Sequence, residues 1–269
     1  MPHAIPRRLY LCGGLQSSGS TLVSWCFLQH PRVDGVLDSR FDALPVIPQK
    51  IQTYAAWCKF TIACFRFLDV SQHFRDDGWE VRPLLVVRDP RAVFDSLIAK
   101  EYGRNGTTAD DPPIRLRIRR FLRDFELFRQ NQWPIMIFER LLAAPETELH
   151  YACEGLGLDF SRDMINWPKH ADDIADCSHG NETFMSSRGP TLLDSIKQAK
   201  PVLTRLPKDD LDWLEEECAE LNQYCGYPSH METLAEPGRA IPTFQATRRY
   251  ERYQRQTRLP RLIRSFFRT

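Results

Sequence analysis

The fold follows from the stretch Arg8-Leu-Tyr-Leu-Cys-Gly-Gly14-Leu-Gln-Ser-Ser-Gly19-Ser-Thr21. A short apolar run is followed by glycines with the spacing Gly-x-x-x-x-Gly, and then by hydroxyl residues that open an apolar helix. This order is typical of a strand, a phosphate-binding loop and a helix, because N–H groups at a helix N-terminus bind anions. The residues predicted to bind the anion are Gly14, Gln16, Ser17, Ser18, Gly19, Ser20 and Thr21.

This loop lacks the lysine that ATP- and GTP-hydrolysing P-loops carry. Ser20 follows Gly19 at the position where those loops place Lys before Ser or Thr. Without that lysine, the β- and γ-phosphates of a nucleoside triphosphate lose their main cationic partner. A P-loop kinase is therefore the alternative rather than the main interpretation.

A second strand-to-helix junction follows the apolar residues 84–87. Asp89 is predicted to cap the helix and Pro90 to occupy its first position, where the missing N–H of proline costs nothing. Arg88 then lies at the carboxyl end of a parallel strand, where open α/β sheets bind ligands.

Two more polar residues lie on the same predicted helix. Ser96 and Lys100 are four residues apart, so they share one helix face. Together with Arg88 they suit a second phosphate. The two junctions therefore imply a nucleotide that is phosphorylated at both ends.

Apolar runs alternate with helical patterns, which predicts an α/β fold. We expect three layers, a mostly parallel central sheet with helices on both faces, similar to P-loop NTPases. Further strands are predicted at 33–37, 59–67, 81–87 and 135–138. Helices are predicted at 20–29, 114–128, 146–155 and 209–224. In helix 114–128 the apolar residues form one face, and most of its arginines are predicted to form a solvated basic face.

Composition separates a body from a tail. The chain has 269 residues, 42% hydrophobic residues and a net charge of +1, but nine arginines and one acid follow position 238. We expect one domain over 1–237 and a basic tail over 238–269. Residues 258–268 form an amphipathic pattern suited to peripheral contact with an anionic membrane surface, or to docking on the acidic body. A nucleic-acid partner is not expected.

The eight cysteines contain no CxxC pair, so neither a zinc site nor a redox motif is indicated. No His/Cys/Asp cluster suggests another metal. The amino-terminal residues do not resemble a signal peptide, and a cytoplasmic location is the expectation.

With both junctions in view, the chain resembles the sulfotransferases that use 3′-phosphoadenosine 5′-phosphosulfate. In that family the glycine-hydroxyl loop binds the 5′-phosphosulfate, and a strand-Arg…Ser motif binds the 3′-phosphate. Arg88 and Ser96 reproduce the spacing of that motif. The segment 137–159 is also similar, and the resemblance covers residues 8–228. It implies transfer of a sulfuryl group to a hydroxyl of a carbohydrate, a lipid or a small molecule, without a metal.

The chain departs from this family at Ser17, where many members carry Lys or Arg. Sulfuryl transfer, like phosphoryl transfer, relies on electrostatic stabilisation, so another cation is needed. Some relatives place a catalytic lysine near the strand before the 3′-phosphate motif. The resemblance therefore implies Lys59, which opens the predicted strand 59–67, with Arg66 as the alternative. A catalytically silent nucleotide-binding module is the alternative function.

The base is also taken from the resemblance. Relatives with the His-Pro-x-Val pattern seen at 30–33 place a base glutamate a few residues later, which implies Asp38. Asp42 and His179 remain open as alternatives. Arg188 falls where many relatives place residues that close over the 3′-phosphate.

Overall fold

The computed structural model describes residues 7–49, 51, 55–99, 114–179, 191–193 and 206–228. Lys100, Arg188 and the predicted tail at 238–269 therefore lie outside the described residues. Within these ranges, no helix combines the length and the apolar character needed to cross a membrane.

The centre of the molecule is a sheet of five strands. These are β1 (Arg8–Gly14), β2 (Asp34–Val36), β3 (Ala55–Thr61), β4 (Glu80–Val87) and β5 (Ile135–Ile137). They are arranged in the order β2-β3-β1-β4-β5, and all neighbouring strands are parallel. Because the strands are parallel, their carboxyl ends lie on one edge of the sheet, with β1 in the middle.

Helices cover both faces of the sheet. They are α1 (Ser20–Leu28), α2 (Phe67–Asp76), α3 (Pro90–Ala99), α4 (Ile114–Gln130), α5 (Phe138–Ala143), α6 (Pro145–Leu156), α7 (Asp163–Asn166), α8 (Lys208–Glu217) and α9 (Ala219–Cys225). A 3₁₀ turn occupies Ala171–Asp173.

Successive residues of the strands belong to two separate cores, as the pleat of a strand requires. Leu9 and Leu11 of β1 pack in the core that includes α2, α3, α4, α8 and α9. Tyr10 and Cys12 pack in the core that includes α1, α6 and α7. The predicted three-layer α/β fold with a parallel sheet is therefore confirmed.

The predicted strand at 59–67 was wrong in its bounds. β3 begins at Ala55, so Lys59 lies inside the strand and does not open it. The first four residues of β3 pair in register with residues 8–11 of β1. A parallel strand that is buried on both faces shows no alternation, so its start is not marked in the sequence. The predicted helix at 209–224 is likewise two helices, which meet at Cys218.

The predicted solvated basic face of α4 was wrong for two of its arginines. Arg115, Arg119 and Arg123 are exposed, whereas Arg117 and Arg120 are buried. The reason is that loops at the carboxyl edge of the sheet pack against this side of the helix. Arg120, for example, donates a hydrogen bond to the carbonyl oxygen of Ala63, which lies just after β3.

Asp124 continues the buried polar side of α4. Its carboxylate accepts a 2.9 Å hydrogen bond from the backbone N–H of Phe67, the first residue of α2. Burial raises the pKa of Asp124 to about 7, although this hydrogen bond and the charges of Arg66 and Arg120 oppose the change. Below about pH 7 the folded chain therefore favours the protonated acid.

This pKa predicts how the stability of the fold depends on pH. In the unfolded chain the pKa of Asp124 is close to 3.9, so between about pH 4 and pH 7 the folded state binds more protons. Stability falls as the pH rises through that range and levels off above it. Asp124→Asn keeps the acceptor for Phe67 but cannot ionise, so it should gain up to about 4 kcal/mol relative to wild type between pH 4 and pH 8.

Urea unfolding of both proteins across this pH range measures the difference. The exposed Asp172→Asn substitution is the control and should keep the pH dependence of the wild type. Parallel curves for Asp124→Asn and wild type would contradict the raised pKa.

Candidate functional site

The loop between β1 and α1 has left-handed backbone at two positions. Ser17 has a φ of 68°, and Gly19, the N-cap of α1, has a φ of 83°. The carbonyl oxygen of Gly19 accepts the N–H of Val23 at 3.1 Å, which begins the helix. A Cβ atom at Gly19 would lie 2.2 Å from the ring of Phe138. The second glycine of the motif is therefore required both by its backbone angle and by close packing.

The interior of this loop is lined by hydroxyl groups. A Cβ atom at Gly14 would come within 2.7 Å of the Ser18 hydroxyl and 3.2 Å of the Ser20 hydroxyl. The Ser18 hydroxyl is buried and has no hydrogen-bond partner within the described part of the chain. Leaving a buried hydroxyl unpaired costs free energy, so these residues fit a loop that binds a polar ligand.

The structure brings Arg88 and Ser96 to this loop. Arg88 follows β4, and its guanidinium donates a 2.8 Å hydrogen bond to the carbonyl oxygen of Ser17. The hydroxyls of Ser96 and Ser17 lie 3.0 Å apart. The guanidinium carbon of Arg88 also lies 5.0 Å from the ring centre of Phe138. The two predicted anion-binding elements are thus in direct contact.

Asp89 is the cap that the sequence predicted. Its carboxylate accepts the N–H of Arg91 at 2.9 Å, and its carbonyl oxygen accepts the N–H of Val93 at 3.0 Å. The guanidinium of Arg91 also pairs with the carboxylate of Asp89, with Nη2 2.6 Å from Oδ2. The start of α3, and with it the position of Arg88, is fixed by these bonds.

Glu139 and Tyr227 support the same junction and were missed in the sequence. Glu139 in α5 accepts the N–H of Asp89 at 3.1 Å and the hydroxyl of Tyr227 at 2.7 Å. Burial, followed by the nearby charge of Glu139, raises the pKa of Tyr227, so its hydroxyl stays protonated and donates. Arg91 adds a 2.9 Å hydrogen bond to the carbonyl oxygen of Pro228. The sequence feature that could have identified Glu139 is an acid in the first turn of a helix that directly follows a strand.

Asp38 and Lys59, the two predicted catalytic residues, form an ion pair. The Nζ of Lys59 lies 2.6 Å from Oδ1 of Asp38 and 3.3 Å from the Thr61 hydroxyl. The Thr21 hydroxyl of the loop donates to Oδ2 of Asp38 at 3.3 Å. Lys59 is only 3% exposed. Segments after β1 and β2 therefore meet the end of β3 at this pair.

Another basic side chain contacts the loop from α4. Arg117 donates a hydrogen bond to the side-chain oxygen of Gln16. Arg117 was predicted to lie on the solvated face, and no pattern within α4 distinguishes it from the exposed arginines. Only the packing of the loop against the helix reveals it.

The alternative residues make their contacts elsewhere. Asp42 pairs with Arg40 at 2.9 Å, and this hydrogen bond lowers the pKa of Asp42. Arg66 is exposed, lies 3.9 Å from Asp69, and lines a groove of about 790 Å³ between α2 and α4. Within the described ranges, no group of three or more His, Cys, Asp or Glu side chains could hold a metal ion.

The contact between Gly19 and Phe138 yields a prediction. Gly78 has the same φ of 83°, but a Cβ atom there would meet nothing within 4 Å. Gly78→Ala should therefore lower the free energy of unfolding by about 1–2 kcal/mol through backbone strain alone. Gly19→Ala should cost about 1–3 kcal/mol more, because the new methyl group meets the aromatic ring.

A double substitution isolates that contact. In a Phe138→Ala background, the cost of Gly19→Ala should fall to that of Gly78→Ala. Chemical denaturation of the variants measures these costs. Equal costs for the two glycines in the wild-type background would show that Phe138 does not restrict the loop.

Comparisons with known proteins give the fold a name. No family model and no curated protein matches the sequence. The structure is similar to the sulfotransferase domain of the Synechococcus PCC 7002 olefin synthase, with a TM-score of 0.51 and 17% identity over 85% of this chain and 98% of that one. The sulfotransferase domain from the curacin biosynthetic pathway gives a TM-score of 0.54 and 13% identity over 83% and 98%.

Mouse sulfotransferase SULT7A1 complexed with PAP gives a TM-score of 0.50 and 8% identity over 81% of this chain and 85% of that one. At these identities the likeness concerns the fold. The chain therefore has the α/β fold of the sulfotransferases, which is similar to that of P-loop proteins.

Proposed function

We propose that this protein is a sulfotransferase that uses 3′-phosphoadenosine 5′-phosphosulfate. The observation that carries the proposal is the contact of both Arg88 and Ser96 with Ser17 of the loop. A nucleotide with phosphate groups at both ends of its ribose needs two anion sites that are this close together. One solved structure with the same fold is complexed with PAP, adenosine 3′,5′-bisphosphate, which supports this donor.

The donor would bind across the two junctions. Loop residues 14–21 offer N–H groups and hydroxyls to the phosphosulfate at the N-terminus of α1. Arg88 and Ser96 would bind the 3′-phosphate. Lys100 is assigned to the same phosphate by its sequence spacing from Ser96, and Arg188 by the resemblance; both lie outside the described residues.

The proposed reaction is an in-line displacement at sulfur. The acceptor oxygen forms a bond to sulfur while the bond between sulfur and the bridging oxygen breaks, and adenosine 3′,5′-bisphosphate leaves. Asp38 takes the proton of the acceptor hydroxyl. Lys59 stabilises the negative charge that develops on the bridging oxygen. Lys59 would leave its ion pair with Asp38 and contact the bridging oxygen of the donor instead. The carboxylate of Asp38 would then be available to accept the proton.

The rest of the chain is assigned in the same way. Residues 1–237 would form the catalytic domain, and the tail at 238–269 would contact an anionic membrane surface, or dock on the acidic body, through 258–268. The acceptor would be a carbohydrate, a lipid or a small-molecule alcohol.

Arg88→Ala tests the donor site. Loss of charged hydrogen bonds should raise the Kd for adenosine 3′,5′-bisphosphate at least about tenfold, as measured by calorimetry. Arg82→Ala is the matched control, because Arg82 lies near the start of β4, the strand that Arg88 follows, and pairs with Glu80. Unchanged affinity in Arg88→Ala would remove Arg88 from the site. Tighter binding of ATP with magnesium by the wild type would favour a kinase.

Lys59→Met tests the chemistry. Labelled-sulfate transfer to pooled hydroxyl acceptors should fall about 10³-fold, while the affinity for adenosine 3′,5′-bisphosphate changes little. Because this change leaves Asp38 without its ion-pair partner, Lys59→Met combined with Asp38→Asn serves as the folding control. Near-wild-type turnover in Lys59→Met would exclude Lys59 from the mechanism. Wild-type protein that binds the nucleotide but transfers no sulfate would be a silent binding module.

A further inference from the structure

The inner side of α4 presents three buried polar residues to the carboxyl edge of the sheet. Arg117, Arg120 and Asp124 are spaced by three and four residues, so they share one side of the helix. Each contacts a different segment: Gln16 in the loop after β1, Ala63 after β3, and the first residue of α2. The helix therefore lies across the loops that form the candidate site and holds each of them.

Arg117 is the member of this row that contacts the anion-binding loop. Its side chain is completely buried, with 0% exposure. A guanidinium keeps its charge at every physiological pH, so this is a permanent positive charge beside the loop. Charges act more strongly in the protein interior than in water, because the effective dielectric constant is lower.

The hydrogen bond also orients Gln16. An amide side chain carries an acceptor oxygen and a donor NH₂ group on opposite sides of one carbon atom. Because the oxygen accepts from Arg117, the NH₂ group is turned away from the arginine. Gln16 therefore has a donor to offer to an anion in the loop.

The neighbouring position explains why such a charge is needed. Ser17 has no cationic side chain, and its hydroxyl and carbonyl oxygen contact Ser96 and Arg88. Arg88 thus contacts the loop after β1 from the β4 side of the sheet. Arg117 contacts the same loop from α4, through the preceding residue.

We propose that Arg117 is a positioning residue for the nucleotide donor. It orients the amide of Gln16 toward the phosphosulfate and supplies the positive charge that the side chain at position 17 does not. This inference rests on the proposed function. The charge of Arg117, and not only its bulk, contributes to the binding of a 5′-phosphate.

Two substitutions separate charge from packing. Arg117→Gln keeps an N–H donor for Gln16 but removes the charge, whereas Arg117→Lys keeps the charge. Calorimetry with adenosine 3′,5′-bisphosphate should give a Kd that rises about tenfold or more in Arg117→Gln and clearly less in Arg117→Lys. The control is Arg119→Gln, because Arg119 is an exposed arginine of the same helix that pairs with Glu217, and its Kd should equal that of the wild type.

A rescue experiment tests the link to position 17. Introducing Ser17→Lys into the Arg117→Gln protein should recover part of the lost affinity, which a structural defect would not do. Gln16→Leu removes the amide that Arg117 orients without altering the buried arginine itself. The Kd of this variant for adenosine 3′,5′-bisphosphate should also rise about tenfold. Thermal unfolding of each variant shows whether it is folded.

The outcomes distinguish the two proposals. Wild-type protein that does not bind adenosine 3′,5′-bisphosphate would defeat the proposed function. If the wild type binds, equal losses in Arg117→Gln and Arg117→Lys, or no loss in either, would overturn the role of its charge. Should the Arg117 variants fail to fold, unchanged affinity in Gln16→Leu would overturn the inference.

Discussion

Parallel pairing of the strands is the constraint on which the site depends. Because all five strands run in one direction, the segments that follow them emerge from the same edge of the sheet. β1 lies between β3 and β4, so its loop has the end of β3 on one side and Arg88 on the other. Residues from distant parts of the chain are thereby brought to one loop.

Hydrogen bonds and ion pairs made by side chains then hold these segments in place at the edge of the sheet. On the β4 side, Glu139 and Tyr227 hold the backbone that follows Arg88. On the β3 side, the pair of Asp38 and Lys59 contacts Thr21 of α1. α4 lies over the same edge and contacts three of the segments there. The loop is therefore surrounded by polar contacts that come from several distant segments of the chain.

The parts of the site that could be predicted from the sequence are those determined by short local patterns of residues. The glycine spacing at 14–19, the cap at Asp89 and the position of Arg88 each depend on a few adjacent residues and on the rules for strand-to-helix junctions. The three-layer fold followed from the alternation of such junctions along the chain. These features need no knowledge of what packs against them.

The features of the fold and site that could not be predicted depend on packing between distant segments. The start of β3 at Ala55 is determined by its register with β1, and the apolar residues 55–58 show no periodic pattern that marks it. The burial of Arg117 and Arg120 follows from loops that lie over α4, whereas the other four arginines of the same helix are exposed. The contacts of Glu139 and Tyr227 join residues 88 positions apart. A pattern confined to one element cannot contain such information.

The bond between Arg88 and Ser17 has a consequence for how the loop tolerates change. Arg88 binds the carbonyl oxygen of Ser17, an atom that every amino acid possesses. Replacing the side chain at this position therefore leaves the tether between β4 and the loop in place, provided that the new residue accepts a φ of 68°. The architecture of the loop and the charge it presents are thus controlled by different atoms. A chain built in this way can exchange one source of positive charge for another without rebuilding the loop.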